Sequence, residues 1–170
     1  MKLFAVYVGG TMPGANIELH DMRFVVAASI RDTYAELRRQ WWGAPTSLHL
    51  DCWAEITHVD GYRVELRPEP SRGREKLWFV NLGGYDPTEF AERHQNVFVI
   101  ATSIVSAKAR ALESVIGWDE LHRDDLYEAE QAFRLDKAAT EQRLYIHLIP
   151  DGPAKPVSFT CKYIPIGRNG

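Results

Sequence analysis

Lys2-Leu3-Phe4-Ala5-Val6-Tyr7-Val8-Gly9-Gly10 is echoed 74 positions later by Lys76-Leu77-Trp78-Phe79-Val80-Asn81-Leu82-Gly83-Gly84. Carried through residues 2–43 and 76–117, the same shift aligns fifteen identical residues. Among them are Pro13/Pro87, Glu18/Glu92, His20/His94, Phe24/Phe98, Ser29/Ser103 and Gly43/Gly117. Random matching at ordinary composition yields about two or three over such a length. One residue is then lost and the shift becomes 73, so that Leu48, His49, Asp51 and Glu55 recur as Leu121, His122, Asp124 and Glu128. The reading that decides the fold is therefore an internal duplication. Its period is longer than that of solenoid repeats. Two copies imply a pseudo-two-fold domain, not an open array.

Each copy follows one plan. Leu3–Val8 is apolar at nearly every position, as a strand buried on both faces requires, and Gly9-Gly10 ends it. A polar loop, Thr11–Asp21, leads to a second strand, Arg23–Ala28. Ser29 fits an N-cap, with Asp32 in the first turn. Ile30, Tyr34, Leu37 and Trp41 then form one apolar helical stripe running to about Trp42, with Gly43 as the residue that ends it. Glu55–Val59 and Tyr62–Leu66 flank Asp60-Gly61, whose turn chemistry favours positive φ at both positions. The order is β-β-α-β-β. In the second copy Ser103 caps an Ala-rich helix and Gly117 ends it. Leu126–Phe133 reads as strand or short helix. Gln142–Ile149 and Val157–Ile164 read as a hairpin around Asp151-Gly152-Pro153. Arg67–Glu75, with Pro68, Pro70 and Gly73, is an exposed connector. The expected organisation is thus residues 1–66, a linker at 67–75, and residues 76–170, both repeats forming one compact domain.

Composition narrows the function classes. Of 170 residues, 45% are hydrophobic and 25% charged, values of an ordinary globular chain. The formal charge is −3 without a basic block, which argues against nucleic acid. No window approaches a membrane span. The first residues read as a strand, not a signal peptide. Cys52 and Cys161 make no metal motif and no disulfide framework, so a reduced, cytoplasmic protein is expected.

The motifs Val8-Gly9-Gly10, Glu18-Leu19-His20-Asp21 and Leu48-His49-Leu50-Asp51 resemble the bacterial family called domain of unknown function 1543. The second copy is closer still, with Phe79-Val80-Asn81-Leu82-Gly83-Gly84-Tyr85, Glu92-Arg93-His94 and Leu121-His122-Arg123-Asp124-Asp125-Leu126. The resemblance covers roughly Lys2 to Glu128 as two units. It implies no activity, cofactor or catalytic residue, since the family is named for lacking an assigned one. Cys52 stands where the second copy has Asp125.

Candidate chemistry gathers on the duplicated positions. Gly9-Gly10 and Gly83-Gly84 can bare backbone amides to an anion, although no dinucleotide fingerprint is present. The bland alternative is a bulge or close strand packing. His49 and His122 each precede an aspartate by two residues, Asp51 and Asp124, and on a strand such residues share a face. With His20 or His94 nearby, the set offers two imidazoles and a carboxylate. It suits a metal with open positions, or a metal-free acid–base pair. Equally, the histidines can simply pin the glycine loops. Metal stands last among these readings, and no residue is assigned as a metal ligand. Glu18, Glu92, Glu55 and Glu128 read as surface charges. His58 and His147 read as solvent-side strand residues. Cys52 reads as a small buried hydrophobe, with cysteine–histidine catalysis as the remote alternative.

The expectation is an α+β domain of two tandem β-β-α-β-β repeats, pseudo-two-fold, with helices on a mixed or antiparallel sheet and a homodimer plausible because sheet edges need cover. Its leading function is a module for a small polar or anionic ligand, bound at Gly9, Gly10, His20, Gly83, Gly84, His94 and Asp125. The rival is a metal-dependent or His/Asp acid–base enzyme, hydrolase-like, using His122 and Asp124 or His49 and Asp51. A third reading is a structural or interaction protein. No cofactor is indicated by the sequence.

Overall fold

The computed structural model describes the backbone of residues 1–114, 120–122 and 132–167, and their side chains except at 120–122 and 133. The first half contains β1 (Lys2–Gly10), β2 (Leu19–Ala27), a 3-10 turn (Arg31–Thr33), α1 (Tyr34–Gln40), β3 (His49–Glu55), β4 (His58–Val59) and β5 (Tyr62–Arg67). The second contains β6 (Lys76–Tyr85), β7 (Arg93–Ala101), α2 (Ile104–Glu113), β8 (Glu120–His122), β9 (Ala132–Arg134), α3 (Asp136–Thr140), β10 (Tyr145–Pro150) and β11 (Thr160–Pro165). The protein is mixed α+β, and its strands pair antiparallel in three sheets. Their orders are β11-β3-β1-β2, β10-β5-β4 and β7-β6-β8, with β9 also on β6.

The apolar run of β1 is buried on both faces. Leu3 and Ala5 enter a core shared with Leu77, Phe79, Ile100 and Ile146 of the second half. Phe4, Val6 and Val8 point the other way, into a core with Leu37, Leu48 and Leu50. Ile30, Tyr34 and Trp41 pack on that outer core, so the predicted helical stripe is real. In the second half, Trp78, Val80 and Leu82 meet Ala107 and Ala111 of α2 in a third core. Ser103 caps α2 by accepting from the Ser106 amide. The long hairpins are in matching register: Lys2 faces Ala27 and Gly9 faces His20, while Lys76 faces Ala101 and Gly83 faces His94.

Asp60 joins the halves. It and Gly61 take φ of 52° and 79°, as the two-residue turn between β4 and β5 demands. The Asp60 carboxylate accepts from the Ile100 amide on the edge strand β7 at 2.7 Å and from Arg110 of α2 at 3.0 Å. Asp60→Ala strands that edge amide and puts a Cβ-branchless but non-glycine residue at positive φ without its polar anchor. We expect a loss of about 1–3 kcal/mol in urea unfolding, partly recovered by Asp60→Asn.

Several expectations are corrected. Gly9-Gly10 do end β1, as its last two residues, but Gly83-Gly84 are followed by Tyr85 in β6, and both pairs are ladder residues. β2 begins at Leu19, so His20 belongs to the ladder and not to a loop, because the pairing continues nine residues out to Gly10 opposite Leu19. Ser29 is not an N-cap: its hydroxyl bonds Asp32 at 2.7 Å, and a 3-10 turn precedes α1. The helix stops at Gln40, with Trp41 extended. Gly43 answers to space, since a Cβ there would come within 2.6 Å of the Trp41 ring. Trp42 is the exposed member of the stacked Trp41–Trp42 pair.

β10 and β11 are not a hairpin. β10 pairs with β5 and β11 with β3. Pro153 and Pro156 lie in the segment between them, and proline cannot donate to a ladder. Cys52 and Cys161 are neither free nor buried thiols. They face each other across β3 and β11 and form a disulfide. A spacing of 109 residues hides such a pair from sequence, and the cysteine argument for a reducing compartment lapses with it. No helix among the described residues is long and apolar enough to cross a membrane. Most of Leu126–Phe133, and Gly117, lie outside the described residues.

Candidate functional site

The inner face of sheet β11-β3-β1-β2 carries the candidate site at its far end. Gly9 of β1 is flanked by His20 of β2 and His49 of β3. Residues opposite each other on a sheet send their side chains to the same face. Both imidazoles therefore close over Gly9, where there is no side chain to hold them apart. A Cβ at Gly9 would stand 2.6 Å from His49 Nε2, 2.9 Å from Asp51 Oδ2 and 2.9 Å from His20 Cδ2. The glycine is needed for space. Its φ is not in the left-handed region, and its place in a three-stranded ladder removes the open amide cradle expected for an anion.

The register of β1 with β3 shifts between Tyr7 and Val8, where Asp51 is the extra residue between Leu50 and Cys52. A bulge of this kind re-aims side chains. Here it lets His49, Asp51 and Cys52 all serve the inner face while Leu50 stays in the outer core. Glu18, just before β2, completes the group. Among the described residues, Glu18, His20 and His49 can hold a metal ion, one ligand atom from each lying within 4.8 Å of the others.

The donor atoms lie close together. His49 Nε2 lies 3.3 Å from Glu18 Oε1 and 3.5 Å from Asp51 Oδ1. His20 Nε2 lies 3.7 Å from Glu18 Oε2 and 3.3 Å from Asp51 Oδ2. Donors at about 2.0–2.1 Å from one tetrahedral ion are about 3.4 Å apart. His49 is 2% exposed, and its Nδ1–H donates to the Ser47 carbonyl at 2.9 Å. That bond sets the tautomer and leaves Nε2 with a lone pair facing two carboxylates. His49 Nε2 and Asp51 Oδ2 are buried and hydrogen-bond to nothing. Such groups carry a desolvation cost, which a cation held between them would relieve.

Two tyrosines frame the imidazoles. The Tyr7 ring lies parallel to His20, centroids 5.3 Å apart and planes 7° apart. Burial, and then the negative charges of Asp51 and Asp21, push its hydroxyl above the ordinary tyrosine pKa, so it stays a proton donor. Tyr163 of β11 covers His49 at 4.4 Å.

His20, His49 and Asp51, singled out from the sequence, are brought together. Gly10 is not among them. It points to the outer face, where a Cβ would meet Trp41 and Ser47, because successive residues of a strand face opposite ways. A cavity between the halves is lined by other residues, among them Tyr7, Met22, Val97 and Phe98. His94 sits beside Glu92 at 3.7 Å and Asn81 at 3.3 Å, 48% exposed in its side chain. Gly83 faces His94 on one side and His122 on the other, and Gly84 faces Leu121. Asp124 and Asp125 lie outside the described residues. The disulfide removes Cys52 as a nucleophile. Sequence reading left Glu18 on the surface, although Glu18-x-His20 has the same i, i+2 spacing as His49-x-Asp51. It did not single out Tyr7 or Tyr163 at all. His58 bonds Asp151 and His147 donates to the Glu69 carbonyl, both away from the site.

The family model described as Domain of Unknown Function (DUF1543) matches residues 15–66, the segment that supplies Glu18, His20, His49 and Asp51. Over those residues the chain is similar to the DUF1543 family. A crystal structure of a protein Il1583 from Idiomarina loihiensis is similar to this chain at 35% identity, covering 99% of each chain with a TM-score of 0.71. No curated protein matches it.

Proposed function

We propose that the protein is a divalent-metal-dependent binding module whose ion is held by Glu18, His20 and His49. The observation that carries this reading is the buried Nε2 of His49, oriented by Ser47 and aimed without a hydrogen bond at two carboxylates. Two imidazoles and a carboxylate leave positions open for water or a ligand atom. Asp51, beside both imidazoles, is placed to act as a further ligand or to take a proton from metal-bound water. The arrangement disfavours a bare anion, which would meet Glu18 and Asp51 directly. A polar ligand is bound through the ion instead.

The finer architecture belongs to the same reading. Two tandem repeats with pseudo-two-fold symmetry account for the matching registers of β1–β2 and β6–β7, and for Gly83 standing between His94 and His122 as Gly9 stands between His20 and His49.

Cobalt(II) titration with absorption spectroscopy, combined with thermal unfolding in zinc, tests the proposal. Cobalt should give the visible bands of a low-coordinate nitrogen/oxygen site. Zinc at a hundred times its Kd should add about 2.7 kcal/mol, raising the midpoint by roughly 5–10 °C. Glu18→Gln and His49→Ala should lose both effects. A wild-type protein that is neither coloured nor stabilised by millimolar metal would show that the histidines only pin the sheet.

A further inference from the structure

We propose, resting on that metal site, that the cavity between the two halves is its ligand chamber, and that it takes a small molecule with an apolar body and a carboxylate head. The cavity encloses about 650 Å³, within the ordinary range for small-molecule sites. Its near wall is the same inner face that carries the metal ligands. Ala5, Tyr7, Met22, Cys52 and Ala54 line it. Tyr7 is opposite Met22 on β2 and Cys52 on β3. The next row out on the same face is Gly9 with His20 and His49. Successive same-face positions on a strand are about 7 Å apart. The ion site and the cavity are therefore consecutive rows of one surface, and a ligand about 7 Å or more in length spans both.

Tyr7 is the shared wall. It lines the cavity and lies flat on His20. The far wall comes from β7 around Val97 and Phe98 and from the segment before β11, including Val157 and Phe159. These side chains suit an aryl or alkyl body. Among the described residues Lys155 is the cation of the lining and Asp60, paired with Arg110, its carboxylate.

Charge selects the head group and makes binding conditional. Without metal, Glu18 and Asp51 repel a carboxylate. A divalent ion offsets the charges of Glu18 and Asp51 and offers open coordination positions, which a carboxylate can fill. The inference is thus a ligand class whose affinity switches on with the ion.

Phenylbutyrate is a suitable probe, with phenylbutanol as its uncharged counterpart. Trp53 lines the cavity and reports occupancy by fluorescence. We expect zinc-loaded protein to bind phenylbutyrate at least ten-fold more tightly than protein stripped by chelator. Phenylbutanol should bind alike in both. Val157→Trp, which fills the chamber from its irregular wall, should keep zinc binding and lose phenylbutyrate. Lys155→Ala should keep both and weaken phenylbutyrate several-fold at most. Zinc binding that leaves phenylbutyrate affinity unchanged, or a Val157→Trp protein that still binds it, overturns the chamber while the metal site stands. Absence of zinc binding in the wild type overturns the metal reading itself.

Discussion

Gly9→Ala should weaken zinc binding by at least 100-fold, about 2.7 kcal/mol of binding energy. The added methyl occupies the point on which the site converges, 2.6 Å from His49 Nε2 and 2.9 Å from both Asp51 Oδ2 and the His20 ring. His49 cannot give way cheaply. It is 2% exposed, anchored through Nδ1 to Ser47, and covered by Tyr163. His20 is held on its other side by the ring of Tyr7. The substitution therefore spreads the donors beyond the reach of one ion, and overpacking should lower the stability of metal-free protein by about 1–3 kcal/mol. Val8→Ala serves as the control. Val8 is the preceding residue of β1 but faces the outer core. Its loss should lower stability and leave zinc affinity within about three-fold of wild type. Calorimetric titration of both variants decides the matter; unaltered zinc affinity in Gly9→Ala would be incompatible with the proposed site.

Opening the Cys52–Cys161 disulfide should produce the largest loss of stability. The bond closes a loop of 109 residues. In the chain-entropy model, releasing a loop of that size costs about 5 kcal/mol, most of it by freeing the unfolded chain. The midpoint should fall by roughly 10–20 °C. β11 depends on this bond at one end only. Its other end is secured by the Ile166 and Gly167 amides donating to the Leu48 carbonyl and by Arg38 donating to the Ile166 carbonyl. The strand should therefore loosen first near Thr160 and Cys161. Scanning calorimetry with and without a thiol reductant, beside the Cys52→Ser/Cys161→Ser double variant, measures the effect. Reductant and double variant should lower the midpoint equally. A midpoint indifferent to both would mean that the bond contributes nothing to folding.

Much of the secondary structure is legible because it is local. The two-sided apolar run of β1, the Asp60-Gly61 turn and the Ser103 cap each depend on a few neighbouring residues, and each is found where the pattern places it. The His49-x-Asp51 pair is legible for the same reason, since a strand's alternation is short-ranged. Even so, local patterns misplace ends. The Thr11–Asp21 stretch is polar enough to read as loop, yet its last residues continue the ladder because β1 offers them a partner. Polar residues at a solvent-facing strand end look the same as a loop until the register is known.

By itself the sequence determined the α+β composition, the repeated strand, helix and turn signals, and which histidines and aspartates recur. The partner of each strand, the bulge that turns Asp51 inward, the convergence of Glu18, His20 and His49 on Gly9, and the meeting of Cys52 with Cys161 were decided only in the tertiary structure. The physical reason is distance along the chain. A sheet brings together residues tens of positions apart through backbone hydrogen bonds that almost any side chain permits. The register that joins Gly9 to His20 and His49 is therefore set by burial of whole strands and not by the residues that form the site.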